Sequence, residues 1–263
     1  FFVDPRMNKT LDYLFIDEAG QVALGTTIAN ATSADNLVLI GDQMQLSQPM
    51  RAKHEGYARM SSLDFILEDD DTISTDKGVF LNVTRRLNKK ICNYISTSFY
   101  DSRLTSDPIT ETRSVNLELD PIKDEGLFYV PIDHNGCSQR SDEEADLVEK
   151  VFNKIVNKEY KSENITGKIS AKDIMVVAPY NAQANNIRER LKKKFKDDVR
   201  VGTIDLFQGQ EAKVVLISMT TSDVESLPRH KDFFFSRNRL NVAISRAECV
   251  AIIIFNENLL LAS

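Results

Sequence analysis

Asp17 and Glu18 stand side by side, directly after the apolar run Tyr13-Leu14-Phe15-Ile16 and before Ala19-Gly20-Gln21. A buried strand that empties into two adjacent carboxylates delivers them to the carboxyl edge of a sheet, where open α/β sheets bind their ligands. Such a pair suits nucleotide hydrolysis. One carboxylate holds Mg²⁺, directly or through water, and its neighbour orients and deprotonates the attacking water. The same residues also describe a strand running into a solvated acidic turn. A second strand favours the chemical reading: Leu37-Val38-Leu39-Ile40 empties into Gly41-Asp42-Gln43-Met44-Gln45-Leu46, which places two sets of polar groups at one sheet edge.

Further along, Val79-Phe80-Leu81 reads as a short strand feeding Thr84-Arg85-Arg86-Leu87-Asn88, ahead of a helix on which Ile91, Tyr94, Ile95 and Phe99 recur at helical spacing. Two arginines at such a junction are either surface charge or a bidentate grip on phosphates across an interdomain cleft. The buried strand at 174–178 ends in Pro179-Tyr180-Asn181-Ala182-Gln183. Residues 199–204 read as a strand running into Asp205-Leu206-Phe207-Gln208-Gly209-Gln210-Glu211, and Val214-Val215-Leu216-Ile217 as another. Arg239 to Ala247 reads as a helix before a last strand at 250–255.

These groups need a frame, and alternating strands and helices supply one: a parallel, doubly wound α/β sheet with right-handed crossovers. Residues 22–34 and 62–67 suit short helices, 101–126 are polar and turn-rich, and Leu127-Phe128-Tyr129-Val130 is a strand. Ser141 and Glu144 form a capping box that starts a helix near Asp142. The helix after Asn181 turns Ile187, Leu191 and Phe195 inward and is ringed by Arg188, Arg190, Lys192, Lys193, Lys194 and Lys196. That ring is either a solvated face or a contact with a phosphate backbone. Residues 68–71 are acidic and read as a solvated loop.

The 263 residues suffice for one large or two ordinary domains, and a net charge of −6 confines any nucleic-acid site to a local basic surface. Cys92, Cys137 and Cys249 are odd in number and far apart, which argues for a reducing, cytoplasmic setting and against a disulfide frame or a zinc site. No apolar run approaches the roughly 20 residues of a membrane helix, so no membrane partner is expected.

From Asp17 onward the chain resembles a superfamily 1 helicase from motif II to motif VI, in the Upf-type (1B) branch. The resemblance rests on five matches in order: Asp17-Glu18-Ala19-Gly20-Gln21, Gly41-Asp42-Gln43-Met44-Gln45-Leu46, Thr84-Arg85-Arg86-Leu87, Phe207-Gln208-Gly209-Gln210-Glu211 and Leu240-Asn241-Val242-Ala243-Ile244-Ser245-Arg246-Ala247. Asp-Glu-Ala-Gly-Gln and Ala-Pro-Tyr-Asn-Ala-Gln look most like bacterial and archaeal proteins that fuse an upstream RecB-like nuclease to such a helicase. The resemblance implies a RecA-like P-loop NTPase fold: the distal part of a first lobe over 1–80 and a complete second lobe over 81–263.

It also implies roles. Asp17 holds Mg²⁺, Glu18 activates water, Gln45 senses the γ-phosphate, and Arg86 and Arg246 act as arginine fingers. Glu211 binds the ribose or bound nucleotide, with Gln208, Gly209, Asp42 and Arg85 completing the ATP site. Pro179, Tyr180, Asn181 and Thr203 touch single-stranded nucleic acid, with DNA favoured over RNA. Departures from the pattern are Arg85 where an aromatic residue usually stacks on adenine, Asn88-Lys89 where His-Pro is usual, and Ser47-Gln48-Pro49 lacking the first proline of motif III.

No Gly-x-x-x-x-Gly-Lys-Ser/Thr occurs in the sequence, so nothing in it cradles a β-phosphate. The expectation is a phosphate loop upstream and poor ATP hydrolysis by these residues alone. The alternatives are a non-catalytic, helicase-like binding platform for nucleic acid or protein, and a motor that feeds a fused nuclease.

Overall fold

The computed structural model describes residues 3–46, 55–68, 70–163, 165–222 and 236–261. They form two compact units, Phe1–Leu81 and Asn82–Ser263. In the first unit, β1 (Leu11–Ile16) pairs in parallel with β2 (Ala34–Leu39), Leu14 opposite Leu37 and Ile16 opposite Leu39. The connection between them is α1 (Leu24–Ala31). Next comes α2 (Ser62–Leu67), which opens on a complete capping box between Ser61 and Asp64.

Among the described residues, one core cluster of this unit is Ala19, Leu63 and Leu67, with Ile16, Leu39 and Ile73 packed on them, and Leu14, Met44 and Leu46 are buried as well. The sequence reads β1 as a buried strand; within the described residues it is buried on one face. Tyr13 is 58% and Phe15 63% exposed while Leu14 is buried, because side chains alternate across a strand and only the face of Leu14 and Ile16 is covered. Ser47-Gln48-Pro49 lies outside the described residues, as does most of the loop read between Thr220 and Phe235.

The second unit contains β3 (Val83–Thr84), α3 (Lys89–Phe99), β4 (Thr105–Ser106), β5 (Ser114–Val115), β6 (Gly126–Pro131), α4 (Asp142–Ile155), β7 (Glu159–Ser162), β8 (Ile165–Lys168), β9 (Ile174–Val177), α5 (Asn181–Phe195), β10 (Arg200–Gly202), β11 (Ala212–Ser218), α6 (Arg237–Ser245) and β12 (Ala247–Phe255). Its central sheet runs β10-β9-β11-β12-β6, and every pair is parallel. One face carries Val176, Leu216 and Ile252 against Val148 and Phe152 of α4 and Ile187 and Leu191 of α5. Against the other lie α3 and α6. Sheets covered on both sides have strands apolar on both faces, which explains the uninterrupted runs at 174–178 and 214–217.

Several boundaries move. Residues 79–81 form no strand; Val79 and Leu81 are exposed, and the first strand of the second unit is β3, whose partner is β4. β10 stops at Gly202, since Ile204–Phe207 is a 3₁₀ turn. α6 stops at Ser245, and β12 starts at Ala247, opposite Ala212, whose N–H donates to Arg246 O at 2.9 Å. The polar strands β5, β7 and β8 form an antiparallel sheet that no apolar alternation announces. Half of the capping box at Ser141 is made: Ser141 Oγ accepts Glu144 N–H at 3.1 Å, but Ser141 N–H goes to Gln183 Oε1 because the Glu144 carboxylate turns into the core. Among the described residues, no helix is long and apolar enough to cross a membrane.

Candidate functional site

In the first unit β1 ends directly before Asp17, which is exposed and accepts the Glu18 N–H through Oδ1 at 2.9 Å. Glu18 sits in the left-handed region, at φ 53° and ψ 39°. For a non-glycine residue that conformation costs on the order of 1–3 kcal/mol and tends to mark sites where the backbone is held for a purpose. Gln21 Nε2 donates to Glu18 Oε2 at 3.3 Å. The turn after β2 lies against this one. A Cβ on Gly41 would stand 2.7 Å from Ala19 N, and one on Gly20 2.9 Å from Asp42 O, so glycine is what lets the two turns touch. Across the contact Ala19 N–H donates to Ile40 O at 2.8 Å.

On the second turn the Asp42 carboxylate accepts Met44 N–H and Gln45 Nε2, each at 2.9 Å. Asp17, Glu18, Asp42 and Gln45 therefore occupy adjoining turns, with Gln45 held by Asp42. An exposed carboxylate at a strand end fits Mg²⁺, which keeps several waters and takes one or two carboxylates plus substrate phosphates.

In the second unit a parallel sheet separates the candidate residues by strand end. Glu211 and Arg246 directly precede β11 and β12, at the amino ends; Pro179, Tyr180, Asn181 and Thr203 follow β9 and β10, at the carboxyl ends. At the amino ends Arg86 Nε donates to Glu211 Oε2 at 2.9 Å. Arg113 Nη1 holds Arg86 O, also at 2.9 Å. Arg246 is buried; its Nε donates to Val242 O and its Nη1 to Gln210 O, both at 3.2 Å. Gly209, at φ 72°, makes the turn that Gln208 enters in extended conformation.

Arg200 braces the same loop: Nη1 donates to Glu211 O at 2.9 Å and to Lys172 O at 3.1 Å, and Nη2 to Gln210 Oε1 at 3.0 Å. Behind it, burial and then the charge of Glu211 push the Glu248 carboxyl above its ordinary range. Arg85 faces elsewhere, exposed and 3.4 Å from Asp107.

At the carboxyl ends Ala178 N–H donates to Gly202 O at 3.0 Å, joining the segments that bear Pro179 and Thr203. Tyr180 is half-buried against Leu259, while Asn181 is exposed at the start of α5. Arg239 makes two 3.0 Å bonds to Asp205, tying α6 to the 3₁₀ turn. The basic ring of α5 is largely paired within the unit: Arg190 with Asp142 and Asp146, Lys192 with Asp197, Lys194 with Asn153. That favours a solvated face over a phosphate stripe.

The unusual Asn88 has a structural role. It caps α3 by accepting Lys90 N–H at 2.9 Å, and its Nδ2 donates to Glu125 Oε2 at 2.6 Å. Sequence reading misses Arg113 and Arg200, since a lone arginine beside a short strand carries no signal of the loop it braces.

An AAA-domain family model matches residues 61–258. The chain is similar to the DNA polymerase alpha-associated DNA helicase A of Schizosaccharomyces pombe, at 30% identity over 90% of this chain and 36% of that protein. It is also similar to an uncharacterized ATP-dependent helicase of Methanocaldococcus jannaschii (26% identity; 95% and 36% covered) and to the helicase sen1 of Schizosaccharomyces pombe (28%; 92% and 14%). It thus spans about a third or less of the length of these relatives. Among solved structures it is similar to the PRRSV helicase (18% identity, TM-score 0.42; 92% of this chain and 34% of that one) and to an arterivirus nonstructural protein 10 helicase with DNA (16%, TM-score 0.45; 94% and 40%).

Proposed function

The chain belongs to the AAA-domain family, and on that premise we propose that it is part of a superfamily 1 helicase and completes the motor of an ATP-dependent helicase acting on single-stranded nucleic acid. The observation that carries this reading is the 2.9 Å pairing of Arg86 with Glu211. Two motifs 125 residues apart meet as a cation and an anion, the groups needed for the phosphate and sugar of one nucleotide.

In this proposal Asp17 would hold Mg²⁺, which would supply positive charge against the phosphates. Glu18, its backbone fixed by the turn and its carboxylate steadied by Gln21, accepts the proton of the attacking water. Gln45, positioned by Asp42, reads the γ-phosphate. Arg86 exchanges Glu211 for phosphate oxygens, which frees Glu211 to accept from a ribose hydroxyl. Arg246 acts as the second arginine finger, oriented by Val242 O and Gln210 O. Gln208 and Gly209 shape the loop beneath, and the exposed guanidinium of Arg85 stacks on the base.

Pro179, Tyr180, Asn181 and Thr203 contact the strand at the other end of the sheet, mainly through phosphates. DNA is preferred to RNA on the strength of the relative described as a DNA helicase. The lobes are proposed as 1–80 and 81–263, in a cytoplasmic setting that suits three free cysteines. Turnover needs a phosphate-binding loop from outside these residues. A RecB-like nuclease partner rests on motif wording alone.

The test is ATP hydrolysis, with and without single-stranded DNA or RNA, by a protein extended to the length of its relatives, beside Glu18→Gln. Strand-stimulated turnover that falls by about 10²–10⁴-fold in Glu18→Gln, the usual contribution of a general base, supports the motor. Absence of turnover in the extended protein overturns it in favour of a binding platform. Robust stimulated turnover by the 263 residues alone overturns the need for an external phosphate loop.

A further inference from the structure

Between β6 and α4 the chain runs His134-Asn135-Gly136-Cys137, and the first turn of α4 follows with Asp142-Glu143-Glu144. Gly136, at φ 66°, reverses the chain. His134, Cys137 and Glu143 each offer a ligand atom within 4.8 Å of the other two. Cys137 Sγ lies 3.9 Å from Glu143 Oε2, which also accepts Ser141 Oγ at 3.0 Å, and 3.7 Å from Asn135 O.

The tautomer of His134 follows from its surroundings. Its side chain and that of Glu144 are fully buried, with Nε2 3.0 Å from Glu144 Oε1. Glu144 Oε2 accepts Ser218 Oγ at 2.6 Å and Thr220 N–H at 2.8 Å. The carboxylate oxygens accept throughout, so with the imidazole neutral, as a metal ligand must be, Nε2 carries the hydrogen and Nδ1 a lone pair. Nδ1 is buried and has no hydrogen-bond partner. A buried ring nitrogen left without a partner is destabilising and calls for a physical cause.

We infer that His134 Nδ1, Cys137 Sγ and a Glu143 carboxylate oxygen form a Zn²⁺ site, with the fourth position open to water. Imidazole with thiolate selects a borderline-soft cation over Mg²⁺ or Ca²⁺. A carboxylate behind the ligating histidine, as Glu144 stands here, is the usual outer shell of a zinc ligand. Bonds of about 2.0–2.3 Å in a tetrahedron put ligand atoms roughly 3.3–3.7 Å apart, so a His134 ring nitrogen, Cys137 Sγ and a Glu143 oxygen that lie within 4.8 Å of one another need only a local rearrangement of exposed or half-buried side chains to close the site. Binding displaces the thiol proton to solvent. The ion would pin the β6–α4 connection to α4, beside the end of β11 that Ser222 already reaches through Cys137 N–H and O at 3.1 and 2.9 Å. The ligand spacing, His-x₂-Cys-x₅-Glu, lacks the paired cysteines by which zinc sites are read from sequence.

The experiment titrates the metal-stripped 263-residue chain with Co²⁺ as a spectroscopic probe. The expected result is one equivalent bound, with a near-ultraviolet thiolate-to-cobalt charge-transfer band that Zn²⁺ abolishes by displacement. Cys137→Ser should lose the band, Glu143→Gln should bind at least about tenfold more weakly, and Cys92→Ser should match the parent. Glu143 is exposed and Cys137 half-buried, and a far-ultraviolet circular dichroism spectrum matching the parent for each variant separates loss of metal from loss of fold. Saturating Co²⁺ without a charge-transfer band, or a band that survives Cys137→Ser, overturns the site.

Discussion

In the first unit a two-stranded layer carries Asp17, Glu18, Asp42 and Gln45 over a core centred on Ala19, Leu63 and Leu67, while the second carries Arg86, Glu211 and Arg246 on a five-stranded sheet covered on both faces. The means of positioning differ accordingly. Among the described residues the first unit places its carboxylates largely by backbone contact, through Gly20 against Asp42, Gly41 against Ala19, and the left-handed Glu18. In the second unit the cations are placed by side-chain hydrogen bonds: Arg200 on the Gln210–Glu211 segment, Arg113 on Arg86 O, Arg246 on Val242 O and Gln210 O.

The contrast can be broken most directly at the arginine. In the extended protein Arg86→Ala should lower kcat by about 10³–10⁵-fold, as removal of an arginine finger does, with Arg86→Lys failing to restore it. Single-turnover kinetics checks this, and a loss under tenfold would show that Arg86 is only the partner of Glu211. Next in size, Phe152→Ala in the second core should cost about 3–5 kcal/mol. Hydrogen exchange should register this in β11 and β12 and leave β1 and β2 unchanged; equal loss in both units would end the comparison.

Gly41→Ala puts a methyl 2.7 Å from the Ala19 nitrogen and should cost about 1–3 kcal/mol, the scale of overpacking. In this case chemical denaturation and exchange should report the first unit, while Gly167→Ala, which meets nothing within 4 Å, should stay near neutral. The smallest effect concerns Glu248. Its folded carboxyl is pushed above the ordinary 4.5 by burial and then by Glu211. The stability it contributes is therefore fully present below that value and lost as pH rises through the raised one. Glu248→Gln, which stays neutral, should gain thermal stability relative to the parent at pH 7 compared with pH 4; a difference independent of pH would remove Glu248 from the account.

Much of the frame was legible in the residues. The runs at 174–178 and 214–217 are too uniformly apolar for a half-exposed sheet, and Ser141 marks the start of α4 through an interaction spanning three residues. Five motifs at strand ends and helix starts were likewise visible as local strings. These signals are short-ranged: a cap, a period of 2 or 3.6, or a turn is complete within one element. The exposure of Phe15, the choice of Arg86 over Arg85 as partner of Glu211, the burial of Arg246 and the meeting of His134 with Cys137 and Glu143 were decided by the tertiary structure alone. Each depends on which strands are neighbours and which faces are covered, and parallel strands of equal apolarity do not encode their own order.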